Sequence, residues 1–214
     1  MKRAIEQSLV SLQYVPVGDF SYKSLWGEKN VEHFLYFSAY GAPKQFLSAD
    51  FGLRNREAEQ FSVDLIKEIG GKLYRTWRHN AKRDCSMRFP FGKLAGWAPR
   101  WSIDVLRISE RELGDRIQTD ITRFLFPLVK HIATTQDLLD VLMLDRDPFR
   151  WLHVNSAVRA AQIAFLARRT GTDSREIRLI LLPFEAEIAA ALPKSVVVKD
   201  FIEELVTRTR QHFE

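Results

Sequence analysis

The chain has 214 residues, 46 % hydrophobic and 28 % charged, with a formal net charge of +5. This is the composition of an ordinary folded domain and excludes a disordered or collagen-like chain. No apolar run approaches the roughly 18 residues needed to cross a bilayer, and the single cysteine, Cys85, excludes an internal disulfide.

At the N-terminus Glu6, Gln7 and Ser8 interrupt any apolar core of a leader, so no signal peptide is expected. A reducing cytoplasm is the expected compartment. Ile5, Leu9 and Leu12 form one stripe of an amphipathic helix over 2–13, which Pro16 and Gly18 should end. From Asp19 the period falls to two, with Phe20, Tyr22 and Ser24 on one face of a strand. Residues 31–40 read as the best strand, with His33, Leu35, Phe37 and Ala39 alternating with Phe34, Tyr36, Ser38 and Tyr40. After the turn signal Gly41-Ala42-Pro43, residues 45–53 alternate again. Leu47, Ala49, Phe51 and Leu53 face one way; Phe46, Ser48, Asp50 and Gly52 share the wetter side.

Asn55 suits a helix N-cap, and Ala58, Phe61, Leu65 and Ile69 give the buried stripe of the helix that Gly70-Gly71 should stop. Residues 74–77 fit a short strand or a helical turn, and 80–84 a loop. Cys85, Met87, Phe89 and Phe91 alternate with their neighbours as a strand, where Pro90 demands an edge or an end. Residues 101–105 form the last strand candidate. The period is helical thereafter. Ser109 and Glu112 fit a capping box; Leu113, Ile117, Ile121, Phe124, Leu125 and Leu128 form a stripe that Pro127 should kink. Further helices are expected over 135–144, from Pro148 to Arg169 ended by Gly171, from Asp173 with a break near Pro183, and from Ser195 with Phe201, Leu205 and Val206 inward. Strands ahead of helices imply an α+β fold: an antiparallel sheet with flanking helices in the N-terminal part and an all-helical C-terminal part. Residues 1–132 form the expected α+β domain and 133–214 a helical extension packed on it, or the two make one continuous body.

Charge is concentrated in residues 72–107. There nine Lys and Arg stand against two acids, a charge of +7 in 36 residues, so the rest of the chain sums to −2. Three of the five tryptophans, Trp77, Trp97 and Trp101, lie in the same stretch. Catalytic motifs are lacking. No two of His33, His79, His131, His153 and His212 stand four residues apart, and no second cysteine completes a zinc set, so neither metal nor cofactor is expected. Cys85, with His79 nearby and cations around it, could be an activated thiol; as a small residue in line with Met87 and Phe89 it better suits a buried face, which is the expected reading. Asp145 and Asp147 serve as turn and helix-end residues. No phosphate-binding glycine loop or nucleophile elbow is present.

Arg78, Lys82, Arg83, Arg88, Trp97, Arg100 and Trp101 are therefore the candidate binding residues. Arginine and tryptophan dominate protein interfaces because they combine contact area with directed hydrogen bonds. Clustered cations beside aromatic rings equally suit phosphates and stacked bases, so nucleic-acid binding is the alternative. A plain solvated edge, with Arg88 paired to Asp84 or Asp104, is the third reading.

The run Asp84-Cys85-Ser86-Met87-Arg88-Phe89, followed by Gly92, Leu94 and Trp97 or Trp101, resembles the bacterial domain-of-unknown-function family 4304 over roughly residues 1–140. In that family a Cys-x-x-Arg strand precedes a glycine, a leucine and a tryptophan-bearing segment. A paired tryptophan belongs to that pattern; here Ala98-Pro99-Arg100 separates Trp97 from Trp101. The resemblance implies an α+β fold, no established enzyme activity and no catalytic residues. It also implies the company of toxin–immunity or defence proteins. The expected function is accordingly non-enzymatic: binding of a protein partner, as an immunity-type inhibitor of a toxin with an acidic or polar cleft, and no association with membranes.

Overall fold

The structure is a computed structural model and describes residues 1–25, 30–40, 46–69, 87–91, 101–102, 109–144 and 156–214. For Tyr40, Ile66, Ile69, Phe89, Trp101 and Ser102 it describes the backbone. Two compact units result, Met1–Leu53 with Arg88–Ala133, and Arg54–Met87 with Thr134–Glu214. Strands precede most helices and pair antiparallel, so the class is α+β. No helix among the described residues is long and apolar enough to cross a membrane. The expected turns and strand portions at 41–45, 70–86, 92–100 and 103–105, and the helix start at Pro148, lie outside the described residues.

The first unit opens with α1, Lys2–Val10, which buries Ala4, Ile5, Ser8 and Leu9. The strands are β1 (Tyr14–Gly18), β2 (Ser21–Ser24), β3 (Glu32–Tyr40), β4 (Phe46–Arg54), β5 (Met87–Pro90) and β6 (Trp101–Ser102). They run in the order β1-β2-β3-β4-β5, with β6 also pairing with β4. Pro16 and Gly18 do not merely follow the first helix; both sit in β1. The terminal place of β1 in the strand order permits this, because a proline without an N–H is tolerated on an edge. Phe20, at φ +54°, stands in the hairpin turn between β1 and β2, a left-handed conformation that a bulky side chain seldom adopts. At the other end of the order, Pro90 is the last residue of β5.

One face of the sheet is core: Tyr22, Leu35, Phe37, Leu47, Ala49, Phe51 and Leu53 are all buried. The helical part of this unit comprises α3 (Glu110–Asp120), a π-helical turn over Ile121–Leu125, and α4 (Phe126–Lys130). Ser109 Oγ accepts from the Glu112 N–H at 3.2 Å, as its cap pattern implies. Leu113, Ile117, Ile121, Leu125 and Val129 are buried, four residues apart throughout. The expected stripe instead placed Phe124 and Leu128 inside, where both are half-buried. A π turn bonds i to i+5 and is wider than an α turn, so it shifts the phase of every residue after it. α3 lies close on α1 because Gly114 has no side chain: a Cβ there would stand 3.1 Å from the Ala4 carbonyl oxygen.

His33 is a polar residue within this core. It is fully buried, packs near Phe51, and its Nε2–H donates to the Ile132 carbonyl at 2.7 Å. Burial penalises the imidazolium and lowers its pKa from 6.5 to about 4, against a smaller upward pull from that hydrogen bond.

The second unit contains α2 (Arg56–Ile69), α5 (Thr135–Met143), α6 (Ser156–Arg169), α7 (Ser174–Leu181), a 3-10 turn over Leu182–Phe184, α8 (Glu185–Ala191) and α9 (Val198–Phe213). Asn55 caps α2, its Oδ1 accepting from the Ala58 N–H at 2.9 Å. Thr134 with Asp137 and Asp173 with Glu176 form reciprocal capping boxes. Gly171 ends α6 at φ +96°, where a side chain would be strained. α9 begins at Val198, three residues beyond Ser195, and buries Phe201, Leu205 and Val206.

α6 is the centre of this unit. Every residue from Ala157 to Ala167 is buried, because α2, α5, α7, α8 and α9 all pack on it. Its alanines permit that close approach from several sides. Arg159 is the charged exception, 3 % exposed. Its Nε and Nη2 donate to the carbonyls of Leu142 and Leu144 at 2.8 and 3.0 Å, at the C-terminal end of α5. Nη1 stands 3.7 Å from the Glu187 carboxylate, and the guanidinium lies 4.3 Å from the centre of the Phe184 ring.

The His33 environment has a definite pH signature. Between pH 6.5 and 4 the unfolded chain binds a proton that the folded one refuses, so this contribution is complete above pH 6.5 and is lost as pH falls toward 4. The loss should amount to roughly 3 kcal/mol of unfolding free energy. Urea unfolding from pH 7 to 4 should show that excess slope in the wild type and not in His33→Gln, whose amide can still reach the Ile132 carbonyl. Parallel curves for the two proteins would contradict it.

Candidate protein-binding surface

The strand alternation that buries one face of the sheet turns a second set of side chains to the other. In β2 and β3, Ser21 lies opposite Tyr36 and Lys23 opposite Phe34. β4 adds Phe46, Ser48 and Asp50, all half-buried. β5 adds Arg88. On β4 this is the side that was expected to be the wetter one.

Arg88 is held tightly there. Its Nε and Nη2 donate to Asp50 Oδ2 at 2.9 and 2.8 Å, and its guanidinium carbon stands 4.2 Å from the centre of the Tyr36 ring. Tyr36 in turn stacks on Phe34, with ring centroids 5.9 Å apart and planes within 17°. The side chains of Arg88 and Asp50 are 12 % and 27 % exposed. The result is a strip running from Phe34, itself buried, through Tyr36 to the Arg88–Asp50 pair, with Lys23 bonded to the buried Glu32 beside it. A planar cation over an aromatic ring, with a carboxylate on its edge, is fixed in orientation.

The candidate binding residues fall into three groups. Arg88 is on this face and is bonded to Asp50; Asp84 and Asp104, its expected partners, lie outside the described residues. Trp101 enters the sheet through β6, where its backbone pairs with Leu47 of β4. Arg78, Lys82, Arg83, Trp97 and Arg100 lie outside the described residues, as do Cys85, His79, Asp145 and Asp147. Both described portions of the 72–107 stretch that form strands thus pair with the same strand, β4. Tyr36 and Asp50 complete the site although neither was a candidate; the signal was their shared parity with Ser38, Ser48 and Phe46 on the wetter side.

A separate groove of about 400 Å³ lies in the second unit, lined by Glu57, Phe61, Asp64, Glu68, Arg208 and His212 among others. Its carboxylates are already engaged: Glu57 with Arg169, Glu68 with Arg208, Asp64 with Lys67. No group of three or more potential metal ligands occurs among the described residues. Comparison with family models, with curated proteins and with solved structures returned no match for this chain.

The Arg88–Asp50 pair is shielded enough to be worth more than an exposed ion pair. A double-mutant cycle with Arg88→Ala and Asp50→Ala should give a coupling of about 1–2 kcal/mol. The exposed pair Arg116–Glu112 on α3 should give only about 0.3–0.5 kcal/mol. Equal couplings would show that the sheet face is as wet as the helix surface.

Proposed function

We propose that this protein acts by binding a protein partner, as an immunity-type inhibitor that neutralises a bacterial toxin by direct contact. The observation that carries the reading is the placement of Arg88 against Tyr36 and Asp50 on a half-buried sheet face. Arginine with aromatic neighbours, partly shielded from water, is the side-chain combination that most often supplies the few dominant contacts of an interface. The basic, tryptophan-rich stretch 72–107 contributes β5 and β6 to the same sheet; Arg78, Lys82, Arg83, Trp97, Arg100 and Trp101 are included in the contact on the strength of the sequence pattern. Its excess positive charge calls for a target that presents carboxylates or a polar cleft. The sequence resemblance to domain-of-unknown-function family 4304, which no family model matches to this chain, adds only the analogy that such small bacterial domains keep the company of toxin–immunity proteins.

Capture from lysate of the source cell, at about 50 mM and about 500 mM salt, tests it. Wild-type protein should retain one partner protein at both salt concentrations, because a contact centred on aromatic side chains is weakly screened. Arg88→Ala/Trp101→Ala should lose it with unchanged circular dichroism. Arg100→Ala/Trp101→Ala, which leaves the Asp50 pair intact, should lose it too. Retention by both variants would reject this surface. Binding that collapses at the higher salt and elutes with nucleic acid would replace the protein partner with phosphate recognition.

A further inference from the structure

The groove in the second unit joins an apolar wall to a straight row of acceptors. Along α2 its lining falls at positions 57, 60, 61, 64, 65 and 68, a single stripe of that helix. At 3.6 residues per turn Glu57, Asp64 and Glu68 lie within about 20° of one line parallel to the axis. Phe61 and Leu65 stand beside that line on the side of α9, where the Phe61 ring centre is 5.8 Å from that of His212. From Glu57 to Glu68 the stripe runs about 16 Å at 1.5 Å per residue. A volume of about 400 Å³ over that length makes a narrow trough.

The apolar wall is fixed in advance. The His212 ring packs against Phe61, Phe165 and Phe213, at 5.8, 5.2 and 5.1 Å between centres, and stands at 71° to Phe61. Leu65, only 4 % exposed, continues the floor. The acidic wall keeps capacity. Glu57 is bonded to Arg169, Asp64 to Lys67 and the Gln60 amide, and Glu68 to Arg208. Glu57 and Glu68 each spend one oxygen, and the other oxygen of each makes no bond among the described residues. The three carboxylates are 50 to 54 % exposed, where an ion pair is worth little and exchanges partners readily. Arg208 also holds Glu204 at 2.6 Å, so it keeps a partner when Glu68 turns to another cation.

We infer that this trough binds a linear aliphatic polyamine, laid along α2 with its ammonium groups on the carboxylates and its methylenes on Phe61, Leu65 and His212. An extended chain advances about 1.2 Å per single bond, so a tetraamine of three- and four-carbon links spans about 16 Å, the length of the row. Its inner ammonium groups fall about 5 Å from each end, beside Asp64 and Gln60, which lie about 6 and 4.5 Å along the helix from Glu68 and Glu57. Other occupants fit worse. A metal ion needs its ligands around one point, and these carboxylates are spread along the whole row. A helix, about 10 Å across, would ride above so narrow a trough. An anion would meet three carboxylates and one arginine. The chain as a whole carries +5, so it is this row, and not net charge, that draws a polycation.

Isothermal titration of the full chain with spermine, spermidine and putrescine at about 150 mM salt tests the inference. Spermine should bind one-to-one, and each ammonium group removed should weaken binding about fivefold. Glu57→Gln and Glu68→Gln should each weaken spermine binding about fivefold, and together more than about tenfold, with unchanged circular dichroism. Glu112→Gln/Glu203→Gln, which removes as much charge outside the trough, should bind like the wild type. No binding at about 1 mM spermine would overturn the inference. So would equal affinity for putrescine, which reaches only part of the row, or trough variants that bind no worse than the control, the sign of a diffuse cation atmosphere.

Discussion

The sheet depends on β4, which pairs with β3, β5 and β6 and so has most of its backbone engaged by other strands. Its inner side chains, Leu47, Ala49, Phe51 and Leu53, are at most 1 % exposed. Period-two alternation then fixes the face of every other residue on the strand. A shift of one residue would send four core side chains to the outer face and bring Ser48 and Asp50 inside without partners. The register that buries the core is therefore the same register that places Asp50 under Arg88. Fold and candidate surface are two consequences of one constraint, and β5, which carries Arg88, is positioned by its hydrogen bonds to the same strand.

In the second unit the corresponding constraint is the burial of α6 on all sides. A helix this enclosed leaves little room for polar groups, and Arg159 is tolerated because each side of its guanidinium is matched. Carbonyls at the end of α5 accept two of its bonds, Glu187 supplies charge, and Phe184 supplies a ring face. Cations suit the negative end of a helix. Removing Arg159 would strand those carbonyls and Glu187, whereas a buried ion pair as such adds little net stability. The value of the residue lies in joining α5, α6 and α8 at one point.

Much of this was legible in the residues. The alternation of 31–40 and 45–53 announced two strands, and in the second it separated the wet side from the dry side, because each position's polarity reports its face directly. Caps at Asn55, Ser109 and Asp173 were legible for the same reason: a side chain and a backbone N–H three residues on are a purely local matter. Non-local features were not. Pro16 and Gly18 read as stop signals, since nothing nearby tells that β1 would lie at the end of a sheet and need no donor at Pro16. The π turn at Ile121–Leu125 rephased the stripe after it, and period counting assumes a constant turn. The Arg88–Asp50 bond was not legible either, because only strand order brings residues 38 apart together. Arg159 was not singled out; its burial results from five packing partners, none of them visible in its own segment.

The recognition role proposed for the protein rests on a surface in which β3, β4 and β5 contribute side chains of the right kind, and on the basic stretch that feeds into it. Amide hydrogen exchange of the complex with its captured partner addresses that most directly, since it reports contact along the whole backbone at once. The account predicts slowed exchange in peptides from 72–107, including β5 and β6, with the helices from Thr134 onward unchanged. Protection confined to those helices, with 72–107 exchanging as in the free protein, would contradict it.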